Sequence, residues 1–204
     1  MKIGGLQKLT LIDFPGHIAA VIFVQGCNFR CPYCHNPELV DPKQFQEPID
    51  QIEVLSFLET RKEKLTGVVI TGGEPCIQEG LVDLIKKIKD RGFLVKLDTN
   101  GSRPDVLKIV IDKKLIDFIA MDVKAPIEKY STVAKAEGFE DRIKESISLV
   151  LNSGIKHEFR TTVAGSLLDE NDIKKIKDLI KNDDSYRTQD FVNGGKILDP
   201  TMLE

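Results

Sequence analysis

The chain has 204 residues, 41% hydrophobic and 30% charged, with a formal net charge of −3. That length and balance describe one ordinary domain with a core to bury, and an acidic chain without a basic stripe argues against a nucleic-acid partner. No run approaches the roughly 18 apolar residues that cross a bilayer, and Met1–Lys8 lacks an apolar signal core, so the expectation is a cytoplasmic protein with no membrane partner.

In chain order, residues 3–14 read as an N-terminal extension that pairs at a strand edge. Ile18–Val24 is an apolar run of strand length, followed by the loop Gln25–Asn36. Ile52, Leu55 and Leu58 mark a helix near residues 49–62, and Gly67–Thr71 is a short buried strand. Leu81, Leu84, Ile85 and Ile88 recur at helical spacing until Gly92. Phe93–Asp98 is a strand, Val106, Ile109 and Val110 give a helix, and Ile116–Asp122 is another strand, with a loop over residues 124–138. Ile143, Ile147, Val150 and Leu151 form a helical stripe that stops at Asn152–Gly154. His157–Val163 is a strand, Asp169 caps a helix carrying Ile173, Ile176 and Ile180, and Tyr186–Val192 is a weak last strand. Strands alternating with amphipathic helices predict an α/β fold of about six units, curled into an incomplete barrel or laid out as an open sheet. The strands read as mostly apolar with little alternation, as when both faces are covered. The expected organisation is a single domain over 1–204, with an extension at 1–16, the β/α body at 17–192 and a tail at 193–204.

Three of the four cysteines, Cys27, Cys31 and Cys34, are spaced C-x3-C-x2-C directly after the first buried strand. In a cytosolic chain such clustering points to metal or catalysis rather than disulfides. Three readings compete: a c-type haem attachment in Cys31-Pro32-Tyr33-Cys34-His35, zinc on three thiolates and His35, and an iron–sulfur cluster with three protein ligands and one open corner. Thr71-Gly72-Gly73-Glu74-Pro75 follows a strand and reads either as a turn or as backbone that lets a ligand approach closely. Asp98 ends an apolar strand, where an unpaired carboxylate is costly, while Asn100-Gly101 reads as a turn dipeptide. Asp122 and Lys124 could form a simple ion pair, Arg160 could snorkel to a rim, and Cys76, alone, reads as a core thiol.

The Cys27/Cys31/Cys34 spacing, with aromatic Tyr33 before the third cysteine, resembles the radical S-adenosylmethionine (SAM) enzymes. The resemblance implies an incomplete (β/α)6 TIM-like barrel and a 4Fe–4S cluster on the three cysteines. The amino and carboxylate groups of SAM would chelate the fourth iron, and one electron would split the sulfonium to give a 5′-deoxyadenosyl radical. It places Tyr33 by the adenine and the Gly72-Gly73-Glu74 segment at the methionine amino group. Asp98-Thr99 and Met121-Asp122-Val123-Lys124 are similar to the activases of glycyl-radical enzymes. There the matching positions, here Asp98, Thr99, Asp122 and the Ala120 carbonyl, imply a monovalent cation. Lys124 and Arg160 inherit places beside the cofactor, Lys124 with a catalytic role. Gly5–Gly16, the run His35–Leu39 and the late segment Tyr186–Phe191 resemble anaerobic ribonucleotide reductase activases. The expected partner is therefore a glycyl-radical enzyme, anaerobic ribonucleotide reductase first and pyruvate formate-lyase second, with flavodoxin or ferredoxin as electron donor. A non-catalytic metal or electron-transfer module is the alternative from another class.

Cys27, Gly72, Asp98, Asp122 and Arg160 all fall at or near C-terminal ends of predicted strands. Parallel α/β folds bind their ligands at that end, so one shared site is expected.

Overall fold

In the computed structural model, residues 1–165, 167–192, 194, 196–199 and 201 are described. Much of the expected tail at 193–204 lies outside them.

One seven-stranded sheet organises the chain, in the order β1-β2-β3-β4-β5-β6-β7. These strands are β1 (Ile3–Thr10), β2 (Ala19–Val24), β3 (Gly67–Gly72), β4 (Leu94–Thr99), β5 (Phe118–Asp122), β6 (Lys156–Val163) and β7 (Arg187–Asp190). Strands β2 to β7 are successive parallel neighbours. The N-terminal run pairs antiparallel at the β2 edge, with Leu6 opposite Ile22. The six parallel strands form a partial barrel that does not close: β1 and β7 are its two edges.

The helices cover one face. They include α1 (Pro37–Val40), α2 (Gln51–Glu59), α3 (Leu81–Lys89), α4 (Pro104–Asp112), α5 (Tyr130–Val133), α6 (Glu140–Asn152) and α7 (Glu170–Leu179). Ile22, Val68, Ile70, Val95, Leu97, Ile119, Met121 and Phe159 point to that face and join the main core. Leu81, Leu84, Ile85 and Ile88 are the buried stripe of α3, and Gly92 follows it at φ +86°. Asp169 and Asp172 close a capping box at the start of α7.

The inner face is different. Phe14, Ala19, Val21 and Val69 form a small second core at the N-terminal end of the strands, against which Phe23, Leu94 and Phe118 pack. Further along, β4, β5 and β6 turn charged side chains inward at every second position: Lys96 and Asp98, Asp122, Glu158 and Arg160. The expectation of little alternation therefore holds for β2 and β3 and fails for β4 and β6.

Three local expectations are also corrected. Helix α2 buries Val54, Leu55 and Leu58, leaving Ile52 71% exposed in the first turn. Helix α4 buries Pro104, Leu107 and Val110, so its inward stripe is rotated and Ile109 faces out. The expected loop at 124–138 contains a 3-10 turn, Ile127–Lys129, and α5. Tyr130 of α5 is fully buried, and its hydroxyl accepts the Lys124 backbone N–H at 3.1 Å.

Candidate functional site

The cysteine loop is held from several sides. Phe29 is buried and packs edge-on against Tyr130 and Phe139, with centroids 6.3 and 5.3 Å away. The Arg30 backbone N–H donates to Ala134 O at 3.0 Å, and its guanidinium reaches back to Cys27 O at 2.6 Å. Gln78 donates to Gln25 O at 2.8 Å, and the Gly26 N–H donates to Leu39 O at 2.7 Å. These contacts fix the loop on both flanks of the cysteines.

The residues expected from the sequence meet in one cavity of about 300 Å³. Cys27, Cys31, Tyr33, Cys34, Gly72, Gly73, Glu74, Asp98, Thr99, Asp122, Lys124 and Arg160 all line it, at the C-terminal ends of the strands. Cys76 does not: it is buried in the main core.

None of the four cysteines is in a disulfide. Burial, with the Glu74 carboxylate nearby, pushes the Cys27 thiol up to about 12, and burial pushes Cys31 up to about 11. Cys34 is raised for the same reason. These are neutral thiols that must release protons to take metal. A single zinc ion needs its thiolates within about 2.3 Å of one point. Among the described residues no group of three or more His, Cys, Asp or Glu side chains is set to hold a metal ion. His35 stacks on Phe191 at 5.2 Å, with its Nε2 3.0 Å from Val192 O. All three thiols line the one cavity. The buried Tyr33 hydroxyl has no hydrogen-bond partner among the described residues, which leaves a polar atom at the wall for a ligand.

The two glycines that line the cavity also make a close backbone approach within the chain. A Cβ on Gly72, at φ +108°, would lie 2.5 Å from Val24 N, and one on Gly73 would lie 2.1 Å from Gly26 O. Both glycines are needed because β3 passes so close to the start of the cysteine loop. The Gly73 and Glu74 N–H groups donate to Val24 O and Gly26 O, each at 2.8 Å. The Glu74 side chain is fully buried. Its Oε1 accepts from Cys76 N at 2.9 Å and Thr99 Oγ1 at 2.7 Å, and its Oε2 from Asn100 N at 2.7 Å. Burial raises its carboxyl against those three hydrogen bonds. Glu74 therefore ties the ends of β3 and β4 together and acts on the cavity through its neighbours.

Beside the cysteines lies a charge network. Arg160 Nε is 2.8 Å from Asp122 Oδ1 and its Nη2 3.2 Å from Asp98 Oδ2; Lys124 Nζ is 3.0 Å from Asp122 Oδ2. Burial alone would raise the Asp122 carboxyl, but Arg160 and Lys124 outweigh it and hold it below the usual range. Lys124 stays charged: burial opposes its proton, and Asp122 more than compensates.

Sequence reasoning missed three members of this neighbourhood. Asn100 lines the cavity, its amide donating to Asn28 Oδ1 at 3.0 Å and lying 3.9 Å from Cys27 Sγ. Its place one step past the β4 end was the available signal. Lys96 and Glu158, beneath the cavity floor, were signalled by their two-residue spacing from Asp98 and Arg160.

The profile of the Radical SAM superfamily matches residues 21–181. A Methanocaldococcus jannaschii protein provisionally named a glycyl-radical enzyme activating enzyme is 35% identical over 195 residues, 93% of this chain and 79% of the relative. The pyruvate formate-lyase-activating enzyme of Clostridium pasteurianum is 31% identical over 189 residues, 89% of this chain and 76% of that enzyme. Streptococcus suis SuiB bound to S-adenosylmethionine superposes with a TM-score of 0.70 at 14% identity, over 88% of this chain and 42% of SuiB. That likeness speaks for the fold alone, and this chain spans less than half of SuiB. A family match through most of the sheet, and through the cysteine loop at its strand ends, means that the chain belongs to the Radical SAM superfamily of enzymes, whose members imply a 4Fe–4S cluster and SAM.

Proposed function

We propose that this enzyme activates a glycyl-radical enzyme, taking hydrogen from the Cα of a glycine on a loop of that partner. The observation that carries the reading is the convergence of the cysteine loop with Asp98, Asp122, Lys124 and Arg160 on one cavity. The names of the relatives along most of the chain support the reaction class.

In this reading Cys27, Cys31 and Cys34 hold the cluster, which supplies the electron for reductive cleavage of SAM. The chain's own residues do the rest. Phe29, Tyr33 and Val40 give the cavity an apolar wall that displaces water, with Tyr33 beside the adenine. Gly72 and Gly73 seat the loop against β3, and Glu74 fixes the segment that receives the methionine amino group. Arg160 and Lys124 meet the carboxylate end. Asp98 and Asp122 hold those cations in place. This function calls for no alkali-metal cation at Asp98, Thr99 and Asp122, whose side-chain oxygens already carry partners.

Cys76 is buried away from the cavity, and the sequence has four cysteines in all, too few for a second 4Fe–4S centre. The electron then comes from an outside donor such as flavodoxin or ferredoxin. Anaerobic ribonucleotide reductase is the partner favoured by the N-terminal and late motifs, and the Clostridium relative favours pyruvate formate-lyase. Reconstituted, reduced enzyme with SAM should produce a glycyl radical by electron paramagnetic resonance on mixing with the reductase. A signal with the lyase alone overturns the choice of partner. No signal with any glycyl-radical enzyme, while SAM is still cleaved, overturns the activase reading.

A further inference from the structure

The residues here do not fit the monovalent cation that the activase resemblance implies. Asp98 Oδ1 is 3.0 Å from Lys96 Nζ, and Asp98 Oδ2 is 3.2 Å from Arg160 Nη2. Asp122 gives one oxygen to Arg160 and the other to Lys124. Thr99 Oγ1 donates to Glu74 and accepts from Gly101 N at 3.1 Å. The side-chain oxygens of that donor set are thus already committed.

Lys96 supplies the positive charge at Asp98 instead. It lies two residues before Asp98 on β4, on the same inward face, and is 2% exposed. Its Nζ sits 5.7 Å from the centre of the Phe118 ring and 3.6 Å from Glu158 Oε1. Glu158 in turn is 3.5 Å from Arg160 Nη1. The network holds three cations, Lys96, Lys124 and Arg160, and three carboxylates, Asp98, Asp122 and Glu158, so it is neutral as built. Asp98 Oδ1 receives no aligned hydrogen bond, so Lys96 holds it by charge, as a bound ion would. A further cation there would face Lys96 and Arg160 at short range in a water-poor site.

We propose that Lys96 is a built-in cation: a positioning residue whose ammonium orients Asp98, and through it Arg160, so that this chain binds SAM without sodium or potassium. Replacing it with a neutral side chain leaves Asp98 and Glu158 sharing Arg160, a net negative site beneath the cavity that an alkali ion can enter.

The test compares wild type with Lys96→Met in choline, sodium and potassium chloride at equal ionic strength. The thermal midpoint of the cluster-free protein is one readout and SAM affinity after reconstitution the other. The inference rests on the proposed SAM site only for the second readout. Wild type is expected to be indifferent to the salt in both. Lys96→Met is expected to lose stability and affinity in choline, with sodium or potassium restoring affinity by about 5-fold or more. An alkali requirement in wild type overturns the proposal, as does a folded Lys96→Met indifferent to alkali ions. If Lys96→Met does not fold, wild type and the charge-preserving Lys96→Arg decide it, since alkali dependence in either overturns it. Absence of SAM binding in every salt refutes the SAM site instead and leaves the thermal midpoints to judge Lys96.

Discussion

Glu74 shows how a residue can matter to the cavity without offering it a free atom. Both carboxylate oxygens are taken by donors from the segment after β3 and the end of β4. Glutamine keeps the shape but replaces one acceptor oxygen with a donor. Glu74→Gln should cost about 1–3 kcal/mol in denaturant unfolding and lower the iron bound on reconstitution. An unchanged stability would mean that the three hydrogen bonds contribute little. Gly73→Ala tests the close approach: its Cβ must displace Gly26 O, so iron content should fall while far-ultraviolet circular dichroism is retained. Full iron loading in that variant would show that the loop tolerates the shift. The thiols divide the same way. Cys31→Ala should lose the cluster chromophore and Cys76→Ala should keep it, because Cys76 is packed in the core away from the cavity. The reverse pattern would overturn the ligand assignment.

Among the elements, α7 offers the cleanest test of local physics. Asp169 accepts from Asp172 N at 2.9 Å, and Asp172 accepts from Asp169 N at 3.0 Å and from Lys129 Nζ at 2.5 Å. Asp169→Ala should cost about 1 kcal/mol. Burial would raise the Asp172 carboxyl, but Lys129 and the cap N–H outweigh it and lower it. A depressed folded value means the stabilisation is full above the ordinary aspartate range and is lost as pH falls through the folded value. Asp172→Asn should therefore be less stable than wild type at neutral pH, with the gap narrowing in acid; a gap independent of pH would contradict the pairing. The cap and the α3 stripe were legible in the sequence, because they rest on local chemistry and on a full helical stripe, and the parallel sheet was legible in the alternation of strands with helices. The misplaced Ile52 and Ile109 lie on helices as long as α3, but α2 and α4 carry apolar residues on more than one side, so packing alone decides which are buried. The inward charges of β4 and β6 were legible as period-two pairs, Lys96 with Asp98 and Glu158 with Arg160, but apolar neighbours such as Leu97 and Phe159 on the opposite face masked them. Gly72 and Gly73 stood out in the sequence, but only the path of the backbone shows that Val24 and Gly26 are what they accommodate.

At the scale of the whole molecule, parallel strands in chain order bring residues from 27 to 160 to one end of a partial barrel. Each strand delivers one or two side chains there, so a site read from strand ends needs only the strand order to be right. The open edge strands leave the barrel unclosed, in keeping with the proposal that a partner's loop enters the site. The central claim is that this cavity holds SAM on a three-cysteine cluster and cleaves it. Its most direct test is the 5′-deoxyadenosine formed when anaerobically reconstituted, reduced protein is given SAM. The account predicts 5′-deoxyadenosine with wild type and Cys76→Ala, and none with Cys31→Ala. No product from wild type carrying a full cluster would contradict it.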